Sequence, residues 1–255
     1  MLLVIDVGNT NVVAGVFDGE RLVADLRLHT EAQHTGDELG LQLTGLLAQR
    51  KIAAGDITGL CISSVVPPLA RSLDEMSTRY FGHAPLMVGP GVRTGLRILY
   101  DDPRQVGADR IVNAIAALKT YGGPAILVDL GTATTFDAIS AQGDYLGGAI
   151  APGMLVSLDA LVTHTAKLNR IDPLAPPSVI GKNTTMSMQA GLVFGYVGLI
   201  EGIVARMKRE IGAEAKVIAT GGLAELLAGQ TECIDTVDQR LTLDGLRLIW
   251  EMNQE

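Results

Sequence analysis

A glycine-containing aspartate motif occurs twice in the chain. It reads Asp6-Val7-Gly8-Asn9-Thr10 near the start and returns in altered form as Asp129-Leu130-Gly131-Thr132-Ala133-Thr134, nearly half the chain length further on. Glycine lets the backbone approach a ligand closely, and Thr or Asn offers hydroxyl, amide and main-chain N–H donors to phosphate oxygens. The aspartate of each copy can hold a cation beside those oxygens. Two such turns facing each other predict a phosphate clamp.

Flanking strands must position each motif. Aliphatic runs at residues 2–5 and 125–128 precede the two copies, and apolar stretches at residues 12–17 and 136–139 follow them. This pattern predicts strand, turn and strand in each half of the chain. One copy alone would more readily be an ordinary turn. Two copies in similar contexts favour a functional site.

A third glycine turn, Thr220-Gly221-Gly222, follows a predicted strand. The bare backbone of Gly221 and Gly222 can lie against a nucleotide base or ribose. The sequence has no Gly-x-x-x-x-Gly-Lys-Ser/Thr loop and no Gly-x-Gly-x-x-Gly after a strand. A bound nucleotide would therefore be held by hairpins.

The segment Gly107-Ala108-Asp109-Arg110 places a carboxylate and a guanidinium at the predicted start of a helix. In one interpretation Asp109 caps the helix and Arg110 is a solvated or paired charge. In the other, Asp109 orients an attacking hydroxyl and accepts its proton. A helix N-terminus weakens a carboxylate as a base. Phosphoryl transfer through a loose transition state tolerates a weak base, so the two interpretations are compatible.

The remaining pattern predicts an α/β fold with helices packed on mixed sheets. We predict two or three strands within residues 2–28 and further strands at 60–65, 86–88 and 216–219. Helices are predicted at 35–49, 67–81, from 109 onward, and at 155–167, 187–211, 223–228 and 243–252. The repeated motif divides the chain into residues 1–118 and 119–255.

The long helix predicted at residues 187–211 has glycines on one face, namely Gly191, Gly195, Gly198 and Gly202. Each glycine costs a helix about 1 kcal/mol relative to alanine, so four on one face indicate a packing requirement. Close approach of another helix supplies one. Packing within the monomer and packing across a dimer interface stay equally open.

Composition narrows the class of protein. The 255 residues are 47% hydrophobic but only 4% aromatic, which indicates an aliphatic core of buried sheets. A net charge of −8 argues against nucleic acid as a partner. Two cysteines form no disulfide framework, which favours a reducing cytoplasm. The longest uncharged helical stretch, residues 188–200, is shorter than the ~20 residues that span a bilayer, so no membrane partner is expected.

Five motifs in order resemble those of type III pantothenate kinases. They are residues 6–10, 107–110, 129–134, 147–153 and 181–191, and the likeness extends to the closing Leu241-Thr242-Leu243-Asp244-Gly245-Leu246. This family belongs to the superfamily of acetate and sugar kinases, actin and heat-shock chaperones. The resemblance implies two duplicated ribonuclease-H-like (actin-like ATPase) domains, residues 1–118 and 119–255, with dimerisation helices in the second.

The resemblance also implies an activity and site residues. The activity is ATP-dependent phosphorylation of pantothenate to 4′-phosphopantothenate, the first step of coenzyme A biosynthesis, in a cytoplasmic homodimer. The implied ATP-binding residues are Asp6, Val7, Gly8, Asn9, Thr10, Asn11, Val12, Val13 and Thr132. The implied pantothenate-binding residues are Tyr100, Gly107, Ala108, Asp109, Arg110 and Thr184, with Thr184 supplied by the partner subunit and Asp109 as proton acceptor. Asp129 would hold a monovalent cation, K⁺ or NH₄⁺, and Asp6 is the candidate for Mg²⁺.

Two other functions fit the same sequence. A kinase of another small alcohol would keep the phosphate clamp and change the acceptor. A nucleotide-gated regulatory binding protein would need no turnover and no acceptor pocket. The presence of both Asp109 and Arg110 argues against a degenerate site.

Overall fold

The computed structural model describes residues 1–254, which form seven α-helices and ten strands. The strands are β1 (Leu2–Val7), β2 (Asn11–Asp18), β3 (Arg21–His29), β4 (Gly59–Ser64), β5 (Leu86–Met87), β6 (Ala125–Leu130), β7 (Ala133–Ile139), β8 (Tyr145–Pro152), β9 (Lys216–Thr220) and β10 (Thr236–Val237). The helices are α1 (Gly36–Gln49), α2 (Ala70–Met76), α3 (Ala108–Tyr121), α4 (Met154–Thr163), α5 (Thr184–Ile211), α6 (Ala224–Ala228) and α7 (Leu241–Met252).

The chain divides into two compact units. Unit 1 comprises residues 1–96, 101–116 and the C-terminal segment from residue 241, and unit 2 comprises residues 97–100 and 117–240. Each unit is built around one five-stranded mixed sheet. The domain boundary that the sequence suggests, between residues 118 and 119, stays a prediction.

The sheet of unit 1 has the strand order β3-β2-β1-β4-β5. β1, β2 and β3 form an antiparallel meander, and β4 pairs in parallel with β1. The sheet of unit 2 has the order β10-β9-β6-β7-β8, in which β6, β7 and β8 form the meander and β9 pairs in parallel with β6. Written in reverse, from β8 to β10, this order matches that of unit 1: the three meander strands come first, and the strand parallel to the central one follows. The predicted duplication of a mixed-sheet fold is therefore confirmed.

Aliphatic side chains fill the core of each unit. In unit 1, alternate residues of β1 such as Leu3 and Ile5 pack with the apolar face of α1 and with α2. In unit 2, β6 and β9 pack against α5 through residues such as Val193 and Ile200. The low aromatic content is accommodated because branched aliphatic side chains pack densely on a pleated sheet.

Local signals account for several element boundaries. Thr35 begins α1 through a capping box, in which its hydroxyl accepts from the Glu38 amide while the Glu38 carboxylate accepts from the Thr35 amide. The helix predicted at 67–81 is one continuous helical segment made of a 3₁₀ turn, α2 and a π turn. Two strands were not predicted. In β8, Gly147 and Gly148 interrupt the alternation of apolar residues, and β10 has only two residues.

Helices α4 and α5 differ from their predicted extents. α4 ends at Thr163, four residues before the predicted end, and α5 begins at Thr184 with Asn183 as its cap. By length and composition α5 is the one helix among residues 1–254 that could cross a membrane. Its buried side chains, such as Val193 and Ile200, belong to the core of unit 2.

Candidate active site

The turn between β1 and β2 carries the first aspartate motif. The Gly8 amide donates to the Asn11 carbonyl over 3.0 Å, which closes the turn. Val7 and Val12 flank the turn, and their side chains lie in the core of unit 1. Of the predicted ATP-binding residues 6–13, these two valines can therefore offer only backbone groups to a ligand.

Asp6 lies at the end of β1 beside Ser63 of β4, and the Ser63 hydroxyl donates a hydrogen bond to the Asp6 carboxylate. Burial raises the pKa of Asp6 from 3.8 to about 6, against the lowering effect of the Ser63 hydrogen bond. The negative charge of Asp109 adds a smaller upward shift to this pKa. Asp6 and Asp109 are therefore electrostatically coupled within unit 1.

Asp109 and Arg110 lie in the first turn of α3. The Asp109 carboxylate accepts from the Arg110 amide over 2.9 Å, and Arg110 is buried, with 6% of its surface exposed. Burial raises the pKa of Asp109, while the hydrogen bond from the Arg110 amide and the Arg110 charge lower it. Desolvation outweighs these lowering contributions, so the pKa of Asp109 lies above its ordinary value.

Helix α7 supports α3 from the C-terminal end of the chain. Gly245 of α7 lies against the backbone of Val112, where a side chain would collide with the Val112 carbonyl. The Thr242 hydroxyl donates to the Asn113 carboxamide over 2.7 Å. Helix α7, which contains the closing motif at residues 241–246, thus holds in place the helix that carries Asp109.

In unit 2 the second motif is placed beside the third glycine turn. Asp129 of β6 is in register with Thr220 of β9. Gly221 follows with φ of +95°, and a methyl group there would lie 2.7 Å from the Asp129 carboxylate. Thr132 occupies the turn between β6 and β7, and its carbonyl accepts from the Gly153 amide at 3.0 Å. Unit 2 thus brings Asp129 and Gly221 together; Gly222 follows directly in the chain.

The remaining predicted substrate residues lie in three places. Gly107 precedes α3 and Ala108 is its first residue. Tyr100 belongs to unit 2, where its ring lies on Gly147 of β8. Thr184 begins α5 and lines a cavity of about 560 Å³ in unit 2.

Sequence reasoning missed two polar residues of unit 1, Ser63 and Thr30. Ser63 is fully buried and reaches Asp6 through the parallel pairing of β4 with β1. Thr30 follows β3 and contacts the turn that carries Gly8. Only strand register could have revealed either one, because neither belongs to a local motif.

Among residues 1–254, no group of three or more His, Cys, Asp or Glu side chains is arranged to hold a metal ion. Mg²⁺ in phosphoryl-transfer sites is held by one or two carboxylates together with substrate phosphates. The carboxylate of Asp6 beside the Gly8 turn fits that arrangement.

The two matched sheets, each with an aspartate near the end of its central strand, define the class of fold: duplicated domains of the ribonuclease-H-like, actin-like type. A family model described as type III pantothenate kinase matches residues 2–206. A type III pantothenate kinase of Moorella thermoacetica is 53% identical over 253 residues, covering 99% of this chain and 100% of that protein. The chain therefore belongs to the type III pantothenate kinase family.

Solved structures agree on the fold. A Sinorhizobium meliloti protein described as a 2-dehydro-3-deoxygalactonokinase superposes with a TM-score of 0.64 at 13% identity, covering 99% of this chain and 97% of that one. A Campylobacter jejuni protein described as a Baf family transcriptional activator gives a TM-score of 0.63 at 19% identity, with coverage of 99% and 98%. At these identities the likeness concerns the fold alone.

Proposed function

We propose that the chain transfers the γ-phosphate of ATP to the terminal hydroxyl of pantothenate, giving 4′-phosphopantothenate in the first step of coenzyme A biosynthesis. The observation that carries the proposal is membership of the type III pantothenate kinase family, and it is supported by Asp6 beside the phosphate turn and Asp109 at the start of α3 in the same unit. Membership of a kinase family implies ATP and a divalent metal. Mg²⁺ is the ion that suits Asp6.

In the proposed reaction, Asp109 accepts the proton of the pantothenate hydroxyl. The hydroxyl oxygen forms a bond to the γ-phosphorus while the bond between that phosphorus and the β,γ-bridging oxygen breaks, ADP leaves, and the hydroxyl proton passes to Asp109 late in this step. The desolvated carboxylate of Asp109 suits late proton transfer in a loose transition state. Most of the acceleration comes from positioning the reactants and from stabilising the transferred charge.

The other site residues divide between nucleotide and acceptor. The backbone of Asp6, Val7, Gly8, Asn9, Thr10, Asn11, Val12 and Val13, with Thr132, Gly221 and Gly222, would contact ATP. Arg110 would pair with the pantothenate carboxylate, since its planar fork matches a carboxylate bidentately. Gly107, Ala108, Tyr100 and Thr184 would complete the acceptor site.

Asp129 is the proposed ligand of a monovalent cation, K⁺ or NH₄⁺. Its carboxylate lies against the bare backbone of Gly221, where a side chain would collide with it, and a carboxylate oxygen is a suitable ligand for a hard cation. The test is turnover in K⁺, NH₄⁺ and Na⁺ at equal ionic strength. Equal rates in the three salts would remove this role from Asp129.

We also infer a cytoplasmic homodimer formed through α5. Gly191, Gly195 and Gly198 are exposed, and no heavy atom of another element lies within 4 Å of where their side chains would begin. Contacts within the monomer therefore do not account for these glycines, which supports packing of this helix face against a second copy. Thr184 begins the same helix, so a partner subunit would bring it near the acceptor. The net charge of −8 supports the proposal that nucleic acid is not a partner.

The deciding experiment is ADP release from Mg-ATP with and without pantothenate. Release that depends on pantothenate supports the proposal. Release with a sugar or another small alcohol instead would identify a different acceptor. Folded protein that binds ATP but turns over with no acceptor would favour the nucleotide-gated regulatory protein.

A further inference from the structure

Thr30 contacts the phosphate turn of unit 1 at two points. Its hydroxyl donates to the Gly8 carbonyl over 2.7 Å, and its amide donates to the Thr10 carbonyl over 2.9 Å. Thr30 itself is buried, with 8% of its surface exposed, and lies directly after β3. The carbonyl groups of Gly8 and Thr10 therefore both point toward Thr30.

The direction of these carbonyls matters for an anion. A carbonyl oxygen repels a phosphate oxygen, whereas an amide N–H attracts it. In a planar trans peptide the N–H points opposite to the C=O. Because Thr30 holds the carbonyls of Gly8 and Thr10 on the β3 side, the following amides, those of Asn9 and Asn11, point away from β3.

The equivalent turn of unit 2 offers an internal comparison. There the Gly153 amide, just past β8, donates to the Thr132 carbonyl at 3.0 Å. Gly153 has no side chain, so it cannot supply a second bond. In both units, therefore, the residue that follows the third strand of the meander donates its amide to a carbonyl of the turn. Only Thr30 adds a hydrogen bond from a side-chain hydroxyl.

We propose that Thr30 is a positioning residue for the nucleotide, which holds the carbonyl groups of Gly8 and Thr10 away from the phosphates and directs the neighbouring amides toward them. The inference rests on the proposed function, in which this turn binds ATP. Thr30 would act without touching the ligand. It would change the affinity for the ATP phosphates, and not the binding of the acceptor or the proton transfer to Asp109.

The test compares Thr30→Val, which keeps the shape and the amide bond but loses the hydroxyl, with Thr30→Ser, which keeps the hydroxyl. Loss of one hydrogen bond that orients the turn should weaken ADP binding, measured by calorimetry, and raise the KM for ATP by about tenfold. The change in kcat should be much smaller. In Thr30→Ser, the dissociation constant for ADP and the KM for ATP should both lie within about threefold of the wild-type values.

Thr44→Val is the matched control, because the Thr44 hydroxyl also donates to a glycine carbonyl, that of Gly40 within α1 at 2.6 Å. It should bind ADP as wild type does. Wild-type binding in folded Thr30→Val, equal weakening in Thr44→Val, or failure of Thr30→Ser to restore binding would overturn the inference. If Thr30→Val does not fold, Thr30→Ala and Thr30→Ser form the same comparison. Absence of nucleotide binding in the wild-type protein would instead overturn the proposed function.

Discussion

Ser63 of β4 donates its hydroxyl hydrogen bond to the carboxylate of Asp6 on the neighbouring strand β1. The same relationship of positions recurs in unit 2, where Thr220 of β9 is in register with Asp129 of β6. Each unit thus places a hydroxyl residue beside its motif aspartate through parallel strand pairing. A hydrogen bond to the carboxylate favours its ionised form and so opposes the effect of burial.

Asp6 should reduce the stability of the ligand-free protein above pH 6. Its pKa is raised from 3.8 to about 6 in the folded state, so the folded protein binds the proton more tightly than the unfolded chain does. The free energy of unfolding therefore falls as pH rises from about 4 to about 6, by about 3 kcal/mol at most. Asp6→Asn removes this cost and leaves an oxygen that can accept from Ser63.

We expect Asp6→Asn to be more stable than wild type at pH 8 in EDTA, with a difference that shrinks as pH falls toward 4. Urea unfolding at a series of pH values measures it. Asp25→Asn, at an exposed position of β3, should stay within about 0.5 kcal/mol of wild type. A less stable Asp6→Asn at pH 8 would contradict the expectation. Turnover should be lost in Asp6→Asn at every pH, because the charge that suits Mg²⁺ is gone.

Asp109→Asn should lower kcat by roughly 10²- to 10⁴-fold, the usual effect of losing a general base. The carboxamide oxygen can still accept from the Arg110 amide, so the variant should keep the wild-type fold. Asp101→Asn, at an exposed position before α3, serves as the control. Turnover near the wild-type rate in Asp109→Asn would assign proton acceptance to another group.

The sequence predicted those parts of the site that depend on local pattern. The turns at Gly8 and Gly131 and the helix start at Asp109 follow from glycine, aspartate and apolar spacing within a few residues. Ser63 and Thr30 were not predicted because their roles depend on the register of β4 and on the end of β3, and a single Ser or Thr carries no signal of register.

Gly147 should be required for acceptor binding. Its φ is +112°, and the first side-chain carbon of any other residue would meet the Tyr100 ring at 3.2 Å. Gly147→Ala should therefore displace Tyr100 and raise the KM for pantothenate, with little change in the KM for ATP. Steady-state kinetics with each substrate varied in turn measures both.

Gly143→Ala is the control for this prediction. Gly143 also has positive φ, +85°, and an added carbon would meet the Leu118 side chain at 3.1 Å. The two variants should lose similar stability, because alanine is disfavoured in both backbone conformations. A rise in the pantothenate KM that is equal in both would mean that general destabilisation, and not Tyr100, is responsible.

Gly195→Leu tests the role of the glycine face of α5. Gly195 is exposed, and nothing within 4 Å blocks a side chain there, so the monomer can accept leucine. Leucine also favours a helix by about 1 kcal/mol over glycine. We therefore expect a stable helix that can no longer approach a second copy closely, and a protein that elutes as a monomer when the wild type is a dimer. Light scattering coupled to gel filtration gives the mass directly.

Gly45→Leu separates loss of the interface from a general effect of the substitution. Gly45 is an exposed glycine of α1 with equally open surroundings, so leucine there should leave the mass of the particle unchanged. If Thr184 of one subunit serves the acceptor site of the other, Gly195→Leu should also raise the KM for pantothenate, whereas Gly45→Leu should not. A Gly195→Leu protein that keeps the wild-type dimer mass would place the interface elsewhere, and a monomer with an unchanged KM would make each acceptor site complete within one chain.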